Sequence, residues 1–289
     1  MSRARPLDAA ELKRHPLPRI EGGDKDSHGT ILIIGGSRDV PGSPLLSAHG
    51  AMRSGAGKLQ LAAPDDIAVP LGIAMPEAMV NGFASARDGG FARRAVTGVI
   101  EQAANADAIV GGPGMTANPA TARLAGELCA LGKPLALDAA LLHALPQCDG
   151  EARDARVRPV LLPHAGELAS LLDAPREAIE ADPATAGHAC AEGYDSIVLV
   201  KGVQSHVVAP DGAIWRYRGG GPGLGVSGSG DVLAGIVGGL LARGADPLTA
   251  LLWAVCLHGE AGARLAKRVG PLGFLARELP AEIPALLPA

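Results

Sequence analysis

Aromatic side chains are scarce in this chain: Phe, Tyr and Trp together make up 2% of its residues. Its core must therefore be closed by Ala, Leu, Val and Ile, and an apolar content of 47% supplies them. Cysteine is also sparse. Cys129, Cys148, Cys190 and Cys256 show no CxxC spacing, which argues against a zinc ribbon or a disulfide framework and for reduced thiols in a cytosolic protein. No basic run occurs, the few aromatics do not interleave with Arg or Lys, and the formal net charge is −4. Nucleic acid is therefore not expected as a partner. The longest apolar stretches, Val232 to Ala242 and Leu248 to Leu257, are too short to span a bilayer and read as buried helices, so no membrane partner is expected. Met1 to Ala10 is polar and has no apolar h-region, so a signal peptide is not expected and the localisation reads as cytoplasmic.

Glycine and proline are plentiful, 40 and 23 of 289 residues. They gather at the ends of apolar runs, as tight turns require. The length suits one large α/β domain. Asp8-Ala9-Ala10-Glu11 has the form of a capping box, with Asp8 as cap and Glu11 reaching back. It predicts a short helix ending before Pro16, so residues 1–27 read as a helical extension and linker, and residues 28–289 as a single domain. Short, nearly continuous apolar runs bounded by Gly, Pro or Asp predict strands at Thr30–Ile34, Lys58–Ala63, Ala108–Val110, Pro134–Asp138, Val160–Leu162 and Ser196–Lys201. Such runs mark strands covered on both faces, as in a parallel sheet. Helices are predicted at Pro44–Ser54, Ala120–Ala130, Gly166–Leu172 and Thr185–Glu192. His206–Ala209 and Ala213–Tyr217, split by Pro210-Asp211-Gly212, predict a hairpin at the sheet edge. Long helices at Asp231–Arg243 and Pro247–Lys267 follow, then a helix or turn before Pro280. Alternating strands and helices imply a doubly wound α/β sandwich, whose ligands bind beyond the carboxyl ends of the strands.

The segment Gly219-Gly220-Gly221-Pro222-Gly223-Leu224-Gly225-Val226-Ser227-Gly228-Ser229-Gly230-Asp231 runs directly into a helix. Closely spaced glycines let backbone N–H groups approach an anion, and a helix N-terminus adds partial positive charge. An Asp there can take a proton from a substrate hydroxyl while the amides hold a transferring phosphoryl group. The plainer reading makes Asp231 an N-cap, but a cap does not need the glycines upstream. No Lys-Ser/Thr follows the glycines, so this is not the Walker pattern. Nor does it follow the first strand, as a Rossmann fingerprint would.

A GSGD segment opening a late helix resembles the ribokinase-like superfamily, whose members place their catalytic base at this Asp. Further segments are similar to the ADP/ATP-dependent NAD(P)H-hydrate dehydratases within it. These are Ser27-His28-Gly29-Thr30 leading into Ile31-Leu32-Ile33-Ile34-Gly35-Gly36-Ser37, Pro41-Gly42-Ser43-Pro44, and Arg53-Ser54-Gly55-Ala56-Gly57-Lys58. With them stand Gly111-Gly112-Pro113-Gly114-Met115, Leu137-Asp138-Ala139, Leu162-Pro163-His164-Ala165-Gly166-Glu167 and Val200-Lys201-Gly202. The similarity runs from about residue 27 to the end, and it is the ordered set that is specific.

The resemblance implies a ribokinase-like three-layer α/β/α sandwich with a mostly parallel central sheet. It also implies dehydration of hydrated NADH or NADPH, with ADP or ATP as phosphoryl donor and Mg²⁺. It assigns Asp231 as the catalytic base. Ser43, Gly114, His164 and Asp231 would face the nicotinamide substrate. Lys201, Gly202, Val203, Gln204, Ser205, Gly228, Ser229 and Gly230 would face the nucleotide. It further implies a homo-oligomer, a tetramer, and functional pairing with a hydrate epimerase.

Plainer readings stand beside several of these. Gly55 and Gly57 can be C-cap glycines, Gly112-Pro113-Gly114 an ordinary turn, His164 a satisfied polar residue, and Lys201 a charged strand end. Glu167 can cap a helix or sit near magnesium, and His258 reads as a core histidine. The chain departs from the family pattern at Gly221 (Asn expected), Val226 (Thr), Ser227 (Gly) and Ala140 (Asp). Two other activities fit the bare residues: a small-molecule kinase of a vitamin precursor, and a nucleotide-binding protein without catalysis.

Overall fold

The computed structural model describes residues 4–19, 24–147, 154 and 156–288. In chain order the elements are β1 (Arg5–Pro6), α1 (Ala9–Leu12), β2 (Thr30–Ile34), α2 (Ser43–Arg53), β3 (Lys58–Pro64), α3 (Asp65–Ala74), β4 (Ala78–Phe83), α4 (Val96–Ala104), β5 (Ala108–Gly111), α5 (Pro119–Ala130), β6 (Leu135–Leu137) and β7 (Val160–Leu161). They continue with α6 (Ala165–Leu172), α7 (Arg176–Ala181), α8 (Pro183–Gly193), β8 (Ile197–Val200), β9 (Ser205–Val208), β10 (Ile214–Tyr217), α9 (Ser229–Ala242), α10 (Pro247–Arg268) and α11 (Leu279–Glu282).

The strands form one ten-stranded sheet in the order β1-β10-β9-β8-β7-β6-β5-β2-β3-β4. Every pairing is parallel except those of β9, which runs antiparallel to both β8 and β10. The strand order turns around at β2, which pairs with β3 on one side and β5 on the other. The loops that leave β2 and β5 meet at the carboxyl edge of this switch point, where such sheets bind ligands, and the Gly36 N–H donates to the Pro113 carbonyl between them at 2.7 Å.

Burial alternates along β2. Ile31 and Ile33 belong to one core cluster, with α2, α9 and α10, while Leu32 and Ile34 belong to the other, with α4, α5 and α8. All four are fully buried, each stabilising the fold by about 1.5–3 kcal/mol. Two covered faces explain the unbroken apolar runs, and together they make the predicted three-layer α/β/α sandwich.

The predicted strands and the hairpin form, with Gly212 at φ 82° in the turn. Several elements were not anticipated. Edge strand β4 is exposed along much of its length, so its sequence, AMVNGF, lacks the apolar run of the buried strands. Helix α3 carries Pro70 in its interior, which reads as a breaker from sequence. Helix α4 was also unmarked. The turn expected before Pro280 forms at Ala276–Glu278, and Pro280 sits inside α11 rather than beyond it.

The N-terminal segment is more than a helix and linker. Asp8 caps α1 by accepting from the Ala10 and Glu11 amides, but Glu11 does not reach back to complete the box. Its carboxylate accepts from Trp215 Nε1 at 2.8 Å instead. Arg5–Pro6 extends the sheet as a parallel neighbour of β10, and Leu7 and Leu12 are buried in the core. Cys190 and Cys256 are buried with thiols pushed up to about 12 by desolvation; Cys148 and residues 20–23 of the expected linker lie outside the described residues.

Candidate active site

Helix α9 is placed by close packing on α2. A Cβ on Gly235 would collide with the Ser47 carbonyl oxygen, and one on Gly50 would come 2.5 Å from the Val232 carbonyl oxygen. Only glycine at these positions lets the two helix backbones come so near. The Ser47 hydroxyl donates to the Asp231 carbonyl at 2.8 Å. This contact fixes the first turn of α9 over the start of α2.

Asp231 is the third residue of α9. Gly228 (φ 86°) occupies the N-cap position and no side chain caps the helix, so Asp231 is not a cap. Its carboxylate accepts from the Ser43 hydroxyl at the start of α2. Ser43 is buried and is held in turn by Gly114. At φ 66°, Gly114 lets the loop after β5 close on α2; an added Cβ would lie 2.7 Å from Ser43 Cβ. Ser43, Gly114 and Asp231 thus come together at the carboxyl edge of the sheet, beside the loop that follows β5.

Burial raises the Asp231 pKa to about 6, with Asp138 adding to the rise and Ser43 and Lys201 opposing it. The helix N-terminus alone would favour the anion and lower the pKa; desolvation wins here. Asp231 is therefore a stronger base than its place on the helix suggests, yet still mostly ionised at neutral pH.

The first-turn amides are available for an anion. Ser229 N–H donates to the Val226 carbonyl and Val232 N–H to Gly228, while those of Gly230 and Asp231 between them have no backbone acceptor among the described residues. Beside them sits Lys201, one of the residues that the resemblance assigns to the nucleotide. Lys201, at the end of β8, donates to Asp138 Oδ1 at 2.9 Å and lies 4.0 Å from Glu167 Oε2. A Cβ on Gly230 would be 3.6 Å from Lys201 Nζ and 3.7 Å from Asp138 Oδ2. Asp138, buried at the end of β6, stands in the quoted Leu137-Asp138-Ala139 but was given no role; an acid at the carboxyl end of a buried strand was the available signal.

His164 caps α6. Its Nδ1 accepts from the Gly166 and Glu167 amides at 3.0 and 3.2 Å, and the Glu167 carboxylate accepts from the His164 amide at 2.9 Å. With Nδ1 an acceptor, the proton sits on Nε2 of a ring whose side chain is 60% exposed. A bridge pairs His164 with Lys201, so His164 stands on the lysine side rather than beside Gly114. Glu167 both closes this capping box and faces Lys201.

A cleft of about 810 Å³ opens alongside. Lys201, Gly202, Val203, Ser205, Ser229 and Gly230 line it. Gln204 points to the neighbouring cleft on the α8 side. Gly228 packs instead against Leu46 and Ala276. Tyr217, Leu224, Val226 and His258 also line the cleft; of these, sequence reading had singled out Val226 and His258 only, and neither for contact with nucleotide. His258 is buried and bonded to Ser229, a core histidine as read.

A mostly parallel sandwich with a buried acid and open amides at the start of a late helix defines a ribokinase-like protein. A ribokinase-like superfamily protein from Enterococcus faecalis shares the fold with a TM-score of 0.81, covering 98% of this chain and 95% of that one at 23% identity. The family described as NAD(P)H-hydrate dehydratase matches residues 31–285, and the chain belongs to that family. It is 45% identical to the ADP-dependent (S)-NAD(P)H-hydrate dehydratase of Xanthomonas campestris over 99% of this chain and 96% of that one. It is similar in structure to the ADP/ATP-dependent NAD(P)H-hydrate dehydratase of Bacillus subtilis co-crystallised with ATP/Mg²⁺, with a TM-score of 0.82, 27% identity, and coverage of 98% and 97%. It spans about half the length of relatives named as bifunctional NAD(P)H-hydrate repair enzymes.

Proposed function

We propose that this chain dehydrates hydrated NADH and NADPH, using ADP or ATP as phosphoryl donor. The observation that carries the reading is Asp231: a largely buried carboxylate with its pKa near 6, next to two unpaired helix amides and Lys201. Hydroxide is a poor leaving group from the reduced nicotinamide ring, and phosphorylation makes it a good one. Asp231 takes the proton of the ring hydroxyl as its oxygen bonds to the terminal phosphorus of the donor. The P–O bond to the rest of the nucleotide breaks, leaving AMP from ADP or ADP from ATP. The ring C–O bond then breaks with release of phosphate, and loss of a proton from the adjacent carbon restores the dihydronicotinamide. The amides of Gly230 and Asp231 and the Lys201 ammonium face the transferring group, and Ser43 orients Asp231.

Mg²⁺ is commonly held by one or two carboxylates together with nucleotide phosphates. Asp138 and Glu167, both buried and both facing Lys201, fit that donor requirement, and they are the residues that would hold the ion. When bound, Mg²⁺ would neutralise phosphate charge. The nucleotide would lie in the 810 Å³ cleft against Lys201, Gly202, Val203, Ser205, Ser229 and Gly230. The hydrate would lie over Ser43 and Gly114, with His164 at the margin. The catalytic unit in this reading spans residues 28–289. Relatives named as bifunctional repair enzymes support pairing with a second repair activity, a hydrate epimerase. The cytoplasmic setting and homo-oligomeric state expected from the sequence belong to the same reading; no helix among the described residues is long and apolar enough to cross a membrane.

The vitamin-kinase alternative gives way to the family match. The decisive assay is recovery of NADH absorbance from hydrated NADH, with ADP and ATP supplied separately. Free phosphate with restored NADH supports the reading; a stable phosphorylated product refutes it.

A further inference from the structure

His258 is a buried histidine in the middle of α10. Its Nε2 lies 3.0 Å from the Ser229 hydroxyl oxygen and 3.1 Å from the Ser229 carbonyl oxygen. A carbonyl only accepts, so the ring proton must sit on Nε2. The same N–H is then shared with the hydroxyl oxygen, which uses it as an acceptor. The hydroxyl proton of Ser229 is thereby left to donate away from the ring. Burial drives the imidazole pKa down to about 4, so the ring stays neutral and keeps this tautomer over the working pH range. Ser229 is the first residue of α9, and it lines the cleft together with Lys201 and Gly230.

Resting on the proposed nucleotide site, we infer that His258 is a positioning residue. It fixes the Ser229 peptide and turns the Ser229 hydroxyl into a hydrogen-bond donor aimed at the phosphate of the donor nucleotide. Packing alone does not call for an imidazole here. A leucine would fill most of the space, but would leave Ser229 free to rotate and its hydroxyl proton undirected. The contact also ties α10 to the turn that carries the Gly230 and Asp231 amides, so one ring sets three donors.

The test compares His258→Leu, His258→Gln and Ser229→Ala with the wild-type chain. ADP affinity is read by calorimetry, and KM for ADP and for hydrated NADH are determined separately. Loss of one directed hydrogen bond should raise KM and Kd for ADP about tenfold in His258→Leu, with KM for the hydrate unchanged. His258→Gln, whose amide N–H can stand in for Nε2–H, should restore most of the affinity. Ser229→Ala should reproduce the defect, and adding it to His258→Leu should cost little more. Equal changes in both KM values, full additivity of the two substitutions, or wild-type ADP affinity in a folded His258→Leu protein would overturn the inference. A wild-type chain that binds neither ADP nor ATP would instead overturn the functional reading on which it rests.

Discussion

Replacing Asp231 by Asn separates charge from shape at the centre of the site. The amide keeps the size of the side chain and can still accept from the Ser43 hydroxyl, so the α2–α9 contact should hold. What is lost is proton acceptance, and a general base typically contributes about 10²–10⁴-fold. Single-turnover restoration of NADH absorbance at saturating ADP should fall by that amount, while nucleotide binding survives. Because the wild-type carboxylate has a pKa near 6, it is about nine-tenths ionised at pH 7 and about one-tenth at pH 5. The wild-type rate should therefore fall along an acid limb centred near pH 6, and Asp231→Asn should lack that limb.

Stability should move in the opposite direction. A carboxyl whose pKa is raised on folding binds its proton more tightly in the folded state, so its ionisation destabilises the fold above that pKa. The raised value costs about 3 kcal/mol at neutral pH, and the cost disappears as the pH falls through 6 toward the unfolded value near 4. Asp231→Asn should accordingly melt several degrees higher than wild type at pH 7, with the gap closing toward pH 4. A mutant that keeps more than about a tenth of the wild-type rate, or that keeps the acid limb, would show that Asp231 is not the base.

ADP with Mg²⁺ should raise the melting temperature of the wild-type chain, since a ligand bound only by the folded state stabilises it by mass action; no shift at millimolar nucleotide would count against the site. Lys201→Met should weaken ADP binding tenfold or more in calorimetry, by roughly the loss of a charge-assisted hydrogen bond. Gly235→Ala should destabilise the fold by about 1–3 kcal/mol in denaturant melts, because α9 must move off the Ser47 carbonyl, and activity should fall as Asp231 is displaced. Val226→Thr with Ser227→Gly should raise turnover by restoring a hydroxyl on the cleft wall; an unchanged or lower rate would mean that this loop is tuned in its own way.

The buried strands could be read because each is apolar on both faces and closed by Gly, Pro or Asp. That logic finds β2 to its ends and fails at β4, where one side faces solvent and Asn81 and Gly82 break the run. Helix α3 was hidden by Pro70, which the helix tolerates. At the site, the glycines before Asp231 implied open amides at the start of α9, and Ser43 and Gly114 carried the family pattern. The electrostatics could not be read in the same way. Spacing along the chain does not tell how far a carboxylate is desolvated, so the rise in the Asp231 pKa required the fold. Asp138 shows the same limit: its partner Lys201 is 63 residues away in sequence, and only the parallel sheet brings them together.

The chain holds two tryptophans, and both indole N–H groups are engaged by the N-terminal segment. Trp215 donates to Glu11 and Trp253 to the His15 carbonyl, with Arg5 stacked over the Trp215 ring at 5.6 Å. The protein therefore carries an intrinsic optical gauge of that segment. Peeling residues 4–19 away would bare both indoles to water and shift their emission to the red while the sheet remained intact. Because Trp215 lies on β10, the strand that feeds the glycine loop, fluorescence followed during nucleotide titration would report whether filling the cleft tightens or loosens the chain's amino-terminal clasp.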